Sequence, residues 1–429
     1  MVDLAFDVAD DLQTVRGAES VTFTPDLAVC TLVFRAWPNK PDTARTGNAL
    51  VVDGARVDGA EVVPTVTSAG APADLPGTLV ELPLSPCVDA GTAVTADLTF
   101  TLTLGRRTDE RVGFAPGEQM AWFATAFPLL AWERGRGWAT DPAVAVVGEM
   151  ATSETFELRS LEVTAPSGYD VLGTGTVDGV TEDPESDTTV HSFTAPAVRD
   201  VAVTVGRLDM IEREVDGVRV HYGSQEGGSR VPLREWADRT EESMRRLTDL
   251  LGPFPYEDLW VSVLPGVTEG VEFTGAIHFG DASEVPGGLV SHEVAHMWFY
   301  GLVGNNQGRD PWLDEAFASY AQRIADGTEH PREDARIADG VSGRIGRPMT
   351  YWAGYERASA AYGAGVYTAG GSALLEARRL GGESAFDAAV REYLRVRAHT
   401  VAVPADVRAA FADLPESVEV LVSAGAFPA

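Results

Sequence analysis

The stretch SHEVAHMWFYGLVGNNQGRDPWLDEAFASY, Ser291 to Tyr320, sets two histidines four residues apart, a glutamate beside the first and a second glutamate on a later apolar segment. Residues four apart lie on one helical face, so His292 and His296 can present ring nitrogens to a single point. The apolar spacing predicts helices over 287–304 and 311–326, with Pro311 opening the second. Between them GNNQGRD has turn chemistry. A helix, a tight turn and an antiparallel return bring Glu315 back beside the two histidines.

Downstream and upstream of this stretch the apolar period differs. Segments 366–380, 383–399 and 404–414 read as further helices, and PLREWADRTEESMRRLTDLLG puts Leu233, Trp236, Ala237, Met244, Leu247 and Leu251 on one helical stripe between Pro232 and Gly252. Before about residue 230 the period is two. ADLTFTLTLG alternates Leu98, Phe100, Leu102 and Leu104 with Thr99, Thr101 and Thr103. The runs 28–37 and 198–211 read alike, and Gly, Pro and Asp turns separate such runs about every ten residues. The expected fold class is α+β and multidomain: an antiparallel β-rich domain over 1–213, then a mainly helical domain over 214–429, with the boundary between Ile211 and Gly217.

A chain of 429 residues with 45% apolar residues is long enough for two or three cores. No run of about 18 uncharged apolar residues occurs, so no membrane-spanning helix is expected. The acidic start MVDLAFDVADDLQTV lacks the basic and apolar stretches of a signal peptide, which makes the cytoplasm the expected location, with secretion the alternative if a leader has been removed. With 64 acidic against 33 basic residues the net charge is −31, which excludes nucleic acid and anionic membrane as natural partners. The acids are dispersed, as on a solvated surface rather than a substrate funnel. Lys40, the sole lysine, leaves no basis for Schiff-base chemistry. Cys30 and Cys87, the only cysteines, lie in strand-like stretches without metal-ligand spacing; a bridge is possible, but buried, idle thiols are the expectation.

His292, Glu293 and His296 form the H-E-x-x-H pattern of zinc hydrolases. Zinc lowers the pKa of its water towards about 7, and a neighbouring carboxylate that does not ligate the metal can take the proton. Two neutral imidazoles and the Glu315 carboxylate would leave the fourth position open, as a catalytic zinc requires. One Zn2+ ion is therefore expected on His292, His296 and Glu315, with Glu293 as the base.

HEVAH, followed after eighteen residues by the glutamate of WLDEAFASY, closely resembles the gluzincin metallopeptidases of the aminopeptidase N and leukotriene-hydrolase family. That family shows W-L-N-E-G-F-A; Asp314 and Ala316 stand here at the Asn and Gly positions. The resemblance implies an N-terminal saddle-like domain, a thermolysin-like catalytic domain and peptide substrates. It also implies that EGVEFTGAIHFG supplies a substrate-pairing edge strand like the family's G-A-M-E-N, with Gly270 and Val271 along the peptide backbone and Glu272 on its free amine. Val271 and Phe273 replace the Met and Asn of that motif. In GVYTAGG, the family's oxyanion-binding tyrosine falls on Tyr367, with Tyr351, Tyr355 and Tyr362 as neighbouring alternatives. The resemblance covers 259–414 most closely, and it suggests a short member without the family's C-terminal helical domain.

The function expected is a zinc-dependent aminopeptidase. Its alternatives are a gluzincin endopeptidase, a hydrolase of non-peptide substrates, or a catalytically idle zinc-stabilised binding module. His278 is expected to be a satisfied structural histidine, and His191, His221, His330 and His399 show no partner pattern. Trp298, Phe299 and Trp312 are expected to pack the two ligand helices together.

Overall fold

The computed structural model describes residues 1–106, 109–117, 119–146, 153–329 and 340–427. The chain divides into two compact units, Met1–Ala143 with Ser153–Arg234 and Tyr256–Glu284, and Val144–Thr152 with Glu235–Pro255 and Val285–Ala429. The boundary expected at 213/214 falls inside the antiparallel pair Leu208–Val215 and Val218–Gln225, whose ladder holds both strands in the first unit. His330 lies outside the described residues.

The first unit is built of sheets. Its largest has eight strands in the order Thr176–Asp183, Thr188–Val198, Phe156–Pro166, Val2–Val8, Thr14–Phe23, Val94–Thr103, Ala49–Val57 and Ala60–Val62. All neighbours are antiparallel except Val2–Val8 with Phe156–Pro166. The period of two read in the sequence appears as a buried row of Val94, Ala96, Leu98, Phe100 and Leu102. Gly17 lies opposite Phe6 and Phe100 on the flanking strands, and a Cβ there would stand 2.0 Å from the Phe100 ring. Glu19 occupies the same inward row, opposite Leu4 and Leu98, and its Oε2 has no hydrogen-bond partner. Burial drives its pKa well above the usual carboxylate range.

Cys30 and Cys87 join the adjacent strands Val29–Arg35 and Leu79–Val88 through a disulfide, so the expectation of idle thiols is corrected. Both are exposed rather than buried, and the Cα atoms stand 4.2 Å apart at a register shift beside Cys30, slightly closer than is usual for a bridge and far inside the limit of about 7 Å beyond which none can form. A five-stranded sheet follows in the order Leu208–Val215, Val218–Gln225, Asp258–Leu264, Ala276–Gly280, Gly270–Phe273. The apolar run Asp258–Leu264 pairs in parallel on both sides and is buried throughout.

The second unit is mainly helical, with α1 (Leu233–Leu251), α2 (Gly287–Ala295), α3 (Trp312–Ala325), α4 (Ala369–Gly381) and α5 (Glu383–Arg397). The stripe expected on α1 is buried at every position. The helix expected over 287–304 ends instead at Ala295. Beyond it Gly301, Leu302 and Val303 donate to carbonyls five residues back, and Tyr300 takes a φ of 116°. These widened turns break the α-helical ladder although the apolar pattern runs on. Pro404–Ala410 is shorter than the expected 404–414, and Pro415–Ser423 adds a helix the sequence reading did not anticipate. Among the described residues no helix is long and apolar enough to cross a membrane.

Candidate metal centre

α2 carries His292 and Glu293, and His296 caps its C-terminus. All three are buried, as is Glu315 in the first turn of α3. His292 Nε2 lies 3.2 Å from His296 Nε2 and 3.2 Å from Glu315 Oε2, and His296 Nε2 lies 3.4 Å from the same oxygen. On His296 the other ring position is engaged, Nδ1 donating to the Phe299 carbonyl at 2.9 Å, and Gln322 is a hydrogen-bonding neighbour of His292. With Nδ1 carrying the proton on His296, and on His292 when it takes the same tautomer, each Nε2 points a lone pair at the other and at a carboxylate oxygen. Three acceptors converging in a buried space are mutually repulsive unless a cation lies between them. Two imidazole nitrogens and one carboxylate oxygen are a donor set suited to zinc, so the residues fit such an ion.

The charge states agree with that chemistry. Burial lowers the His292 pKa, favouring the neutral ring. For Glu315, burial acts upwards, but its interactions with the two adjacent imidazoles outweigh it and keep the carboxyl ionised, well below its usual range.

The carboxylate's second oxygen has its own partner. The Tyr367 hydroxyl donates to Glu315 Oε1 at 2.5 Å, and the Tyr367 ring stacks on His292 with centroids 5.4 Å apart. Tyr367 lies on a π-helical turn, Gly363–Thr368, a local widening that re-aims side chains. Among its alternatives, Tyr351 and Tyr355 bond each other at 2.8 Å, and Tyr362 packs edge-on against Tyr367 with centroids 5.5 Å apart.

The ligand helices are held by close packing. Phe299 stacks on Phe317 at 4.9 Å, Phe317 lies 6.0 Å from Trp312, and Trp298 packs against Phe254 at 5.4 Å. Asp314, at the family's Asn position, accepts from Gln307 Nε2 at 2.9 Å and from the Glu315 amide at 2.8 Å. Gly370 and Gly371 let α4 lie against Ala316 and Ser319 of α3: Cβ atoms there would stand 2.5 Å and 2.9 Å from those side chains.

In the first unit, Gly270, Val271 and Glu272 lie on the edge strand of the five-stranded sheet, opposite Phe279, His278 and Ile277. Val271 and Glu272 are buried and Gly270 is half-buried. The turn after this strand is fixed where the Thr274 amide donates to Asp200 at 2.8 Å and the Thr274 hydroxyl accepts from the Arg199 amide at 3.1 Å. His278 is buried between the Glu110 carbonyl, 3.0 Å from Nδ1, and the Thr204 hydroxyl, 3.4 Å from Nε2. Burial lowers its pKa to about 4. Sequence reading missed Gln322 and the surroundings of His221. His221 stacks on Trp260 at 3.8 Å and reaches Asp258 at 2.9 Å and Glu212 at 3.3 Å. The alternation of charge and aromatic side chains in VRVHYG and EDLWV was the only available signal.

Residues 282–423 match the Peptidase family M1 domain. Among curated relatives, a membrane alanyl aminopeptidase of Manduca sexta is 30% identical over 128 residues, 27% of this chain and 13% of that protein. An aminopeptidase N of Streptomyces lividans is 40% identical over 62 residues, 14% of this chain and 7% of that protein. The chain thus matches well under two thirds of the length of either relative. The M1 zinc metallopeptidase from Deinococcus radiodurans superposes with a TM-score of 0.71 at 19% identity, over 100% of this chain and 94% of that one. A mutant of that metallopeptidase bound to a Tyr-Ser-Ala substrate gives 0.70 at 18%. At such identity these structures establish a shared fold. The chain thus shares the fold of these metallopeptidases, and its HEVAH and WLDEAF segments lie within the residues that match the peptidase M1 domain.

Proposed function

We propose that the chain is a zinc-dependent aminopeptidase that releases N-terminal residues from peptides. The observation that carries this reading is the convergence of His292 Nε2, His296 Nε2 and Glu315 Oε2, with Tyr367 bonded to the carboxylate's other oxygen. In this reading those three atoms hold one Zn2+. The ion supplies Lewis acidity toward a water molecule and the scissile carbonyl. Glu293 takes the proton as the water oxygen bonds to the carbonyl carbon, and passes it to the leaving nitrogen as the C–N bond breaks. Tyr367 turns its hydroxyl to donate to the oxyanion. Gly270 and Val271 pair with the peptide backbone, and the Glu272 carboxylate takes the substrate's α-ammonium, on the strength of their place in the edge-strand motif.

Val271 and Phe273 in place of Met and Asn favour one competing reading, a peptidase that does not require a free N-terminus. Turnover of aminoacyl amides and of their N-acetylated forms separates the two. The aminopeptidase reading expects loss of turnover on acetylation, and equal turnover of both forms refutes it. For the mechanism, Glu293→Gln should retain zinc and lose catalysis by a factor of at least about 100; full activity with zinc bound would sink it. The exposed Cys30–Cys87 bridge supports an oxidising compartment over the cytoplasm, since such bridges persist where thiols are not kept reduced.

A further inference from the structure

The stripe of α3 that carries Glu315 continues two and three turns on, at Gln322 and Asp326, and each of these positions meets α2. Glu315 faces both histidines, Gln322 bonds His292, and Asp326 Oδ1 accepts from the Ser291 hydroxyl at 2.7 Å. The far end of this seam is closed by a residue from a third helix. Arg239 of α1 directs Nη2 to Asp326 Oδ1 at 2.5 Å, to Ser291 Oγ at 2.9 Å and to the Gly287 carbonyl at 3.0 Å, and its Nε reaches the same carbonyl at 3.2 Å. Nη1 is held by Glu242 at 2.8 Å, and Ser243 joins Ser291 at 2.9 Å. One turn further along α1, Arg246 donates to the Ala325 carbonyl at 2.6 Å, at the C-terminus of α3 where a cation is favoured. The fit leaves no slack: a Cβ on Gly287 would stand 2.9 Å from Arg239 Nε, and one on Gly288 would stand 3.0 Å from Gln322 Nε2.

We infer that Arg239, through Ser291 and Asp326, is a positioning residue for the metal centre: it sets the spacing and rotation of α2 against α3, and with them where His292 and His296 stand relative to Glu315. A planar fork that contacts both helices at once can hold that geometry, whereas the point charge of a lysine cannot. The inference rests on the metal-centre reading above and adds to it a determinant that no ligand position contains.

The test measures zinc affinity by chelator competition, the visible spectrum of the cobalt-substituted protein, and thermal unfolding of the metal-free protein. Arg239→Gln and Arg239→Lys should each weaken zinc about 10- to 100-fold and shift the cobalt bands, as loss of an outer partner of a metal ligand does. Ser291→Ala, which leaves the ion pair in place, should do so by a smaller factor and keeps the test open if the arginine variants do not fold. Arg378→Gln is the control. It breaks the Arg378–Asp387 pair, 2.8 Å long, between α4 and α5, and should lower stability while leaving zinc affinity and cobalt spectrum as in the parent. Unchanged affinity and spectrum in the Arg239 variants, or equal weakening in Arg378→Gln, overturns the inference while the metal-centre reading stands. A parent protein that binds no zinc overturns both.

Discussion

Gly370→Ala sets two known effects against each other. In a solvated helix the change stabilises by up to about 1 kcal/mol, because glycine loses more backbone freedom on folding. Here the added Cβ would stand 2.5 Å from the Ala316 Cβ, where carbon atoms in contact settle near about 3.5–4 Å. α4 must then retreat from α3 by about 1 Å, and overpacking of that kind costs about 1–3 kcal/mol. The net expectation is a loss of up to about 2 kcal/mol. Ala316→Gly removes the opposing methyl, so the double variant should be more stable than the sum of the single changes predicts, by about 1–2 kcal/mol. Urea midpoints of the metal-free proteins measure all four corners of the cycle. A higher midpoint for Gly370→Ala, or strict additivity, would show that the close approach of α3 and α4 does not govern their packing.

Reducing the Cys30–Cys87 bridge reopens a loop with a sequence separation of 57, which on the chain-entropy account lowers stability by about 4 kcal/mol; an unfolding midpoint indifferent to reductant refutes this. Glu19→Gln should stabilise at pH 7, because burial raises this carboxyl's pKa and makes folding at neutral pH take up a proton, a cost that a neutral amide does not carry; a drop in midpoint at pH 7 would mean that the carboxyl is satisfied in the folded protein. Burial acts upwards on the Asp258 pKa, but hydrogen bonds from His221, Arg219 and Thr176 outweigh it and depress it. A depressed carboxyl contributes stability that is present above its unfolded value, about 4, and lost as pH falls below that towards the folded value. Asp258→Asn should therefore destabilise at neutral pH and flatten the fall in midpoint below pH 4, and an unchanged acid limb contradicts the assignment.

What could be read from the sequence follows from where the physics is local. The α1 stripe and the return of Glu315 to the histidines rest on helical period and turn chemistry, which act over a few residues. The helix expected to reach Gly304 stops at Ala295 because backbone bonds five residues apart and the positive φ of Tyr300 override an apolar pattern that does not change there. Cys30 finds Cys87 only once two strands pair, so the bridge had no local signature. Gln322, seven residues beyond Glu315, falls on the ligand stripe, but a glutamine on a helix is ordinary until the partner helix is in place. The expected cut at residue 213 falls inside a hairpin that pairs on as the outer strands of a longer sheet, a pairing that no local pattern announced.

The central claim is that His292, His296 and Glu315 together hold one zinc. Metal content by mass spectrometry of the purified, zinc-equilibrated protein, beside His296→Ala and Glu315→Ala variants that keep the parent's circular dichroism, tests it most directly. The account predicts one zinc per parent chain and close to none in either variant. A parent without zinc, or variants that retain a full equivalent, would contradict it.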